Sequence, residues 1–293
     1  MIAIDHVTKR FGERLALDEV TFEIGGGRLT GFVGANGAGK TTTMRVILGL
    51  LRPDSGGVTL DGRAVTPGDR RRFGYMPEER GLYPKMKVAE QIEYLGRLRG
   101  LTKVAAAGAT AELLARLELD ARANDTVESL SLGNQQRAQI AAALVHDPEV
   151  LILDEPFSGL DPLAVDAVVG VLQERAARGV PVLFSSHQLE LVERLCDDLV
   201  IISAGTIRAA GAAERLRTDN STPAWELLTG EDSGWLRAEP GVLVREFGAG
   251  WALFEADEAT AQRILRSAVG RGSVVSFTRS RPSLAQIFTE VVK

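Results

Sequence analysis

The 293-residue sequence predicts an α/β domain with a mixed-sheet core, antiparallel strands at its N-terminus and an inserted helical subdomain, followed by a small α+β domain. Three observations carry this reading. Short apolar runs at 29–33, 150–153 and 180–185 are bounded by turn residues and suit strands buried on both faces. A glycine-rich segment joins the first run to a helical pattern, and a helix beginning near Pro162 lies between the other two. That makes a βαβ unit, whose crossover is expected to be right-handed. The polar stretch Thr218-Asp219-Asn220-Ser221-Thr222-Pro223 then divides residues 1–217 from residues 223–293.

Within the first domain, Ile2–Val7, Ala16–Ile24 and Leu29–Val33 read as strands, punctuated by Arg10-Phe11-Gly12 and Gly25-Gly26-Gly27. A helix from Thr41 to Leu50 is closed by Arg52-Pro53. Gly57–Leu60 with the turn Asp61-Gly62 predicts a hairpin, and Phe73–Met76 a strand stopped by Pro77. From Val88 to His146 the chain turns rich in Ala, Leu, Glu and Arg, so residues 78–146 are the inserted helical subdomain. In the second domain, Val242–Phe247 and Trp251–Phe254 read as strands flanking Gly248-Ala249-Gly250. Glu258–Val269 reads as a helix, Ser273–Thr278 as a strand, and Leu284–Val292 as a closing helix behind Pro282. That module contains no catalytic constellation.

Composition narrows the function classes. A hydrophobic content of 45% and a charged content of 25% are ordinary for a globular protein with a core. The net charge of -5 argues against a general nucleic-acid binder. Cys196 is the single cysteine, so no intramolecular disulfide and no cysteine metal cluster is available, which suits a reducing cytoplasm. Met1–Val7 lacks a basic segment followed by an apolar stretch, so no signal peptide is expected. The apolar runs fall short of the ~20 residues that a membrane-crossing helix needs. Any membrane role is therefore expected to come through a partner.

The chemistry is concentrated in one segment, Gly34-Ala35-Asn36-Gly37-Ala38-Gly39-Lys40-Thr41-Thr42. Its glycines let the backbone aim successive N–H groups at a polyphosphate; Lys40 reaches the β- and γ-phosphates, and the Thr41 hydroxyl ligates Mg²⁺. A strand before it and a helix N-terminus after it are what an anion site requires. Asp154-Glu155 follows the apolar run Val150–Leu153. A carboxylate at the end of a buried strand can bind Mg²⁺, and its neighbour can deprotonate a water; two solvated acids at a strand end are the plainer reading. Leu130-Ser131-Leu132-Gly133-Asn134-Gln135-Gln136 precedes a helix over Arg137–His146. It offers either a second anion-binding edge or simply a helix cap at Ser131.

Taken together, these motifs resemble the nucleotide-binding subunits of ATP-binding cassette (ABC) transporters, and with them the P-loop NTPase fold of the ABC type. Leu130–Gln135 resembles that family's signature motif, and Ser158-Gly159-Leu160-Asp161 its D-loop. Ser186-His187 resembles the switch histidine that contacts the γ-phosphate, and Phe11 the aromatic residue that stacks on adenine. Plainer readings stand beside these: a strand-end aromatic for Phe11, a neutral histidine for His187 and a helix N-cap for Asp161.

Three positions depart from the pattern. Glu78 stands where the family usually has its lid glutamine, Leu132 replaces a signature glycine, and Asn134 the signature glutamine. Ser131 and Gly133, the members that should touch phosphate, are retained. The Tyr75–Pro84 segment and the ending Pro282–Phe288 resemble an exporter-type branch linked to sodium or drug efflux.

The resemblance implies ATP and Mg²⁺ as cofactors, with Lys40, Glu155 and His187 catalytic and Glu155 the general base. Phe11, Gly34, Asn36, Gly37, Ala38, Gly39, Lys40, Thr41 and Thr42 would bind nucleotide, with Ser131, Gly133 and Asp161 acting across an interface. Thr41, Asp154 and Glu78 would serve the metal. It also implies a head-to-tail homodimer of two nucleotide-binding subunits and a separate transmembrane permease, with the chain at the cytoplasmic face of the membrane. The rival reading is a soluble ABC-type ATPase of DNA repair or translation. Such proteins generally carry two cassettes or a long coiled coil, and this chain has one phosphate loop and no sustained heptads. A GTPase is disfavoured because no Asn-Lys-x-Asp motif is present.

Overall fold

The structure, a computed structural model, describes residues 1–79, 81–219, 223–280 and 284. Its described residues fall into two compact units, the first running Met1–Ala213 and the second beginning at Glu214.

The first unit opens with β1 (Ile2–Phe11) and β2 (Arg14–Ile24), paired antiparallel with Ile2 opposite Ile24. β3 (Leu29–Val33) is buried along its whole length and runs through the glycine-rich loop into α1 (Lys40–Ile47). β4 (Ser55–Leu60) and β5 (Arg63–Ala64) form a hairpin across the Asp61-Gly62 turn. α2 (Pro67–Arg70) starts with a reciprocal cap between Thr66 and Asp69, and β6 (Phe73–Met76) follows. Three helices are then inserted: α3 (Val88–Leu98), α4 (Lys103–Arg116) and α5 (Leu132–Leu144). The chain returns through β7 (Val150–Leu153), α6 (Pro162–Ala177), β8 (Val182–Ser186), α7 (Leu189–Leu195), β9 (Asp198–Ser203) and β10 (Thr206–Ala212).

Two sheets result. The antiparallel one has the order β2-β1-β4-β5, and the other β10-β9-β3-β8-β7-β6. In the second, β3, β6, β7, β8 and β9 are parallel and β10 is antiparallel to β9, so the sheet is mixed as expected. Ile2, Ile4, Leu17 and Phe22 of the first sheet share a buried core with Phe32, Phe73 and Ile152 of the second and with Met44 and Ile47 of α1. In register, Val33 pairs with Ser186 and Leu153 with Phe184. The carboxyl ends of β3, β7 and β8 therefore finish together, and the loops after them gather at one edge, where parallel sheets place their ligands.

Two boundaries differ most from expectation. β1 extends past Val7 to Phe11, because β2 continues the ladder and pairs Phe11 with Arg14. α5 begins at Leu132 rather than Arg137, because the Ser131 hydroxyl caps it.

α8 (Ala213–Asp219) runs across the boundary between the units. The second unit holds β11 (Ala224–Thr229), β12 (Leu243–Gly248), β13 (Trp251–Glu255), α9 (Glu258–Arg271) and β14 (Val274–Ser280). Its sheet has the order β12-β13-β11-β14, with antiparallel pairs throughout. Trp225, Leu227 and Phe254 of the sheet pack on Ala261 and Ile264 of α9. The sequence reading had no strand at β11, because Ala, Glu and Leu are helix formers. Burial of Trp225 and Leu227 on alternate positions overrides that preference. The expected closing helix at Leu284–Val292 and most of the Pro282–Phe288 ending lie outside the described residues.

Candidate active site

The phosphate-loop backbone is shaped where side chains cannot fit. A Cβ at Gly34 would lie 2.4 Å from the carbonyl oxygen of Ile202. Gly39 caps α1 with φ of 117°, a conformation that L side chains rarely adopt. Lys40 then opens the helix. It is 8% exposed, and its Nζ donates to Gly34 O at 2.6 Å and Ala35 O at 3.4 Å. An ammonium turned back on the loop it belongs to is placed to meet a polyphosphate lying in that loop.

Around the Asp154 carboxylate, three strand and helix ends are tied together. Thr41 Oγ1 donates to Asp154 Oδ2 at 2.7 Å, and Ser185 Oγ donates to Asp154 Oδ1 at 2.6 Å. The Ser185 hydroxyl also accepts from the Glu155 N–H at 2.8 Å, and Gln136 Nε2 of α5 donates to the Glu155 carbonyl at 2.8 Å. His187 Nδ1 lies 3.0 Å from Glu155 Oε2, with the histidine exposed and the carboxylate mostly buried. Asp154 is 1% exposed, accepts two hydroxyl hydrogen bonds and, among the described residues, makes no ion pair. A buried carboxylate without a cationic partner is costly. Hard oxygen donors from Thr41 and Asp154 side by side fit a divalent cation such as Mg²⁺. Burial, and after it the Asp154 charge, raises the phenol of neighbouring Tyr75 above its ordinary pKa.

A cavity of about 480 Å³ is lined by Phe11, Arg14 and Ala16 of β1 and β2, by Asn36, Gly37, Gly39, Lys40, Thr41 and Thr42 of the phosphate loop and the start of α1, and by Glu78, Asp154 and Glu155. Phe11 is 51% exposed, an aromatic face held open beside the loop rather than packed in the core. A second cavity of about 430 Å³ shares Asn36, Glu78 and Glu155 and adds Glu79, Gln136, Ser158 and His187.

Not every expected residue joins them. Gly34 and Ala38 belong to the loop but do not line the first cavity; Ala38 is buried, and Gly34 is crowded by Ile202. Ser131, Gly133 and Asp161 line neither cavity. Ser131 accepts from Asn134 N at 3.3 Å and Asp161 from Ala164 N at 2.9 Å, so within this chain both serve as helix caps. Gly133 sits against the D-loop, where an added Cβ would stand 3.2 Å from Gly159 O. The loop carrying Glu78 is anchored by Gln139, whose Nε2 donates to Pro77 O at 2.7 Å and Glu79 O at 3.2 Å. Arg14, Gln136, Gln139 and Ser185 were missed from the sequence. Only Ser185 left a signal there, a hydroxyl interrupting an apolar run just before His187.

The family model for ABC transporters matches residues 17–158, and a model described as the C-terminal domain of DrrA1-3-like ATP-binding proteins matches residues 211–292. The ABC transporter ATP-binding protein YhaQ of Bacillus subtilis is 41% identical over all of this chain and 98% of its own length. This chain belongs to the ABC transporter ATP-binding proteins. The Nod factor export ATP-binding protein I of Burkholderia lata is 40% identical over 72% of this chain and 70% of its own. A solved ATP-binding subunit of an ABC transporter superposes with a TM-score of 0.69 at 31% identity, over 75% of this chain and 92% of that one. The ABC transporter subunit seen here is thus an ATP-binding ATPase that powers membrane transport, and the reading as a repair or translation ATPase gains no support. Among the described residues no helix is long and apolar enough to cross a membrane.

Proposed function

We propose that this chain is the ATPase of an exporter. Residues 1–217 form its nucleotide-binding domain and residues 223–293 an accessory domain. The observation that carries the catalytic part is the cluster at the mouth of the phosphate loop. There Thr41 and Glu155 converge on one buried carboxylate system, through Asp154 and Ser185.

Adenine stacks on Phe11, and the loop amides with Lys40 hold the β- and γ-phosphates. Thr41 and Asp154 would hold Mg²⁺, with Glu78 near it, and the ion supplies charge neutralisation at the phosphates. Glu155 takes the proton of the attacking water, and His187, whose Nδ1 lies 3.0 Å from Glu155 Oε2, reports on the γ-phosphate. A single chain leaves one side of that phosphate in water. Ser131 and Gly133 of a second copy close over it, with Asp161 in the same interface, supplying donors and excluding solvent. That predicts a head-to-tail homodimer with two shared sites.

Export is favoured by the relative of Burkholderia lata, which is named for export, together with the Tyr75–Pro84 resemblance. The permease would sit in the membrane with this chain on its cytoplasmic side. The test is purification from membranes by a tag on this chain. A polytopic membrane protein that copurifies and raises ATPase activity supports the reading. A fully active chain with no membrane partner contradicts it.

A further inference from the structure

We infer that Gln136 and Ser185 are positioning residues that clamp the Glu155 peptide from its two sides and so aim the carboxylate. The inference rests on Glu155 acting as the base. Glu155 has φ of 53°, in the left-handed region that a residue with a Cβ occupies only when its surroundings impose it. It also precedes Pro156, and the residue before a proline is biased towards extended backbone. Local preference therefore works against the observed conformation, and something else must hold it.

Two side-chain hydrogen bonds do, beside the turn in which the Ser158 N–H donates to the Glu155 carbonyl at 3.2 Å. The Glu155 N–H donates to Ser185 Oγ at 2.8 Å, and the Glu155 carbonyl accepts from Gln136 Nε2 at 2.8 Å. Both side chains are buried, Ser185 fully and Gln136 at 4% exposure. The Ser185 proton is committed to Asp154 Oδ1 at 2.6 Å, so its oxygen presents a lone pair to the Glu155 N–H in one orientation. The grips come from different elements: Ser185 lies in β8, and Gln136 in α5, whose cap is Ser131. One helix thus carries at its start the edge offered to a partner's nucleotide and, a turn later, a hold on this chain's own base.

The test uses the full chain, with Gln136→Glu as the most discriminating variant. It keeps the size of the side chain and replaces the amide that donates to the Glu155 carbonyl by a carboxyl group. Aiming predicts that kcat falls roughly 10- to 100-fold, as a misplaced catalytic group requires. KM for ATP and the affinity for a non-hydrolysable ATP analogue should stay within about twofold. Ser185→Ala should lower kcat in the same direction. The double variant should lose less than the product of the two single losses, because both act on the backbone of one residue. In a Glu155→Gln background Gln136→Glu should not slow the residual single-turnover rate further. An unchanged kcat in Gln136→Glu would overturn the inference. So would a loss that persists in the Glu155→Gln background, or one that follows a fall in melting temperature or in analogue binding. Gln136→Leu is the second variant if Gln136→Glu does not fold. If Glu155→Gln alone leaves turnover intact, the base assignment falls first and the clamp with it; if Glu155→Gln is inactive and the clamp variants are not, only the clamp fails.

Discussion

The imidazole of His187 and the carboxylate of Glu155 meet at 3.0 Å, Nδ1 to Oε2, across the ends of two parallel strands. The exposed ring thus turns Nδ1 towards the mostly buried acid, and the opposite ring nitrogen lies away from that contact. That arrangement predicts different consequences for the two residues. Glu155→Gln should cut kcat by the ~10²–10⁴ that a general base contributes, while ATP binding persists and the ATP-bound dimer becomes long-lived. His187→Ala should also lower kcat and leave ATP affinity in place. Single-turnover hydrolysis with size-exclusion chromatography in ATP checks both, and wild-type turnover in Glu155→Gln would remove it as the base.

Lys40 is expected to hold the phosphates both for binding and for turnover. Its Nζ is turned onto Gly34 O, and a phosphate would take over that donor. Lys40→Ala should raise the Kd for ATP roughly 10- to 100-fold, in line with about 1.5–3 kcal/mol for a hydrogen bond to a charged group. Equilibrium titration with ATP measures it, and an unchanged Kd contradicts the assignment.

Much of this was legible in the chain, and the reasons are local. Gly34 to Thr42 is contiguous, so its chemistry is written in one stretch. Leu29–Val33, Phe73–Met76 and Val150–Leu153 were read with the boundaries found, because short apolar runs ended by Gly, Pro or Asp allow little else. What sequence hid was pairing across distance. Ser185 and Gln136 meet the Glu155 backbone only because the sheet and α5 bring it to them, and beyond the hydroxyl that ends the Val180–Ser185 run nothing local marks them. Arg14 reaches the cavity because β1 and β2 extend further than their apolar residues suggest. Ser131 is exposed and Gly133 half-buried, and neither lines the cavities of its own chain.

Phe11 offers a flat face and no base-reading hydrogen bond. Phe11→Ala should weaken ATP and GTP alike, by the ~1–3 kcal/mol typical of a base stacked on an aromatic ring. Parallel KM measurements with the two nucleotides decide it. A loss confined to ATP would mean that another group reads adenine.

His146 predicts a pH effect on stability. Burial, and after it the nearby Arg99 charge, lowers its pKa below the ordinary 6.5, against smaller opposing pulls from the Phe73 carbonyl and then Asp147. Its Nε2 lies 3.2 Å from Phe73 O, while Nδ1 is buried without a partner among the described residues. Below pH 6.5 the unfolded chain binds the proton that the folded one refuses, so stability falls as pH drops from there towards the folded-state value. His146→Gln should flatten the melting temperature between pH 6.5 and pH 5 relative to wild type. Parallel curves for the two proteins would contradict the account.

The central claim is that a nucleotide is shared between Lys40 of one copy and Ser131 of the other. Lys40→Ala and Ser131→Arg chains, each inactive alone, should regain ATPase activity when mixed, because random pairing gives about half the dimers one intact site. Activity that stays at zero at every mixing ratio, beside an active wild type, would contradict it.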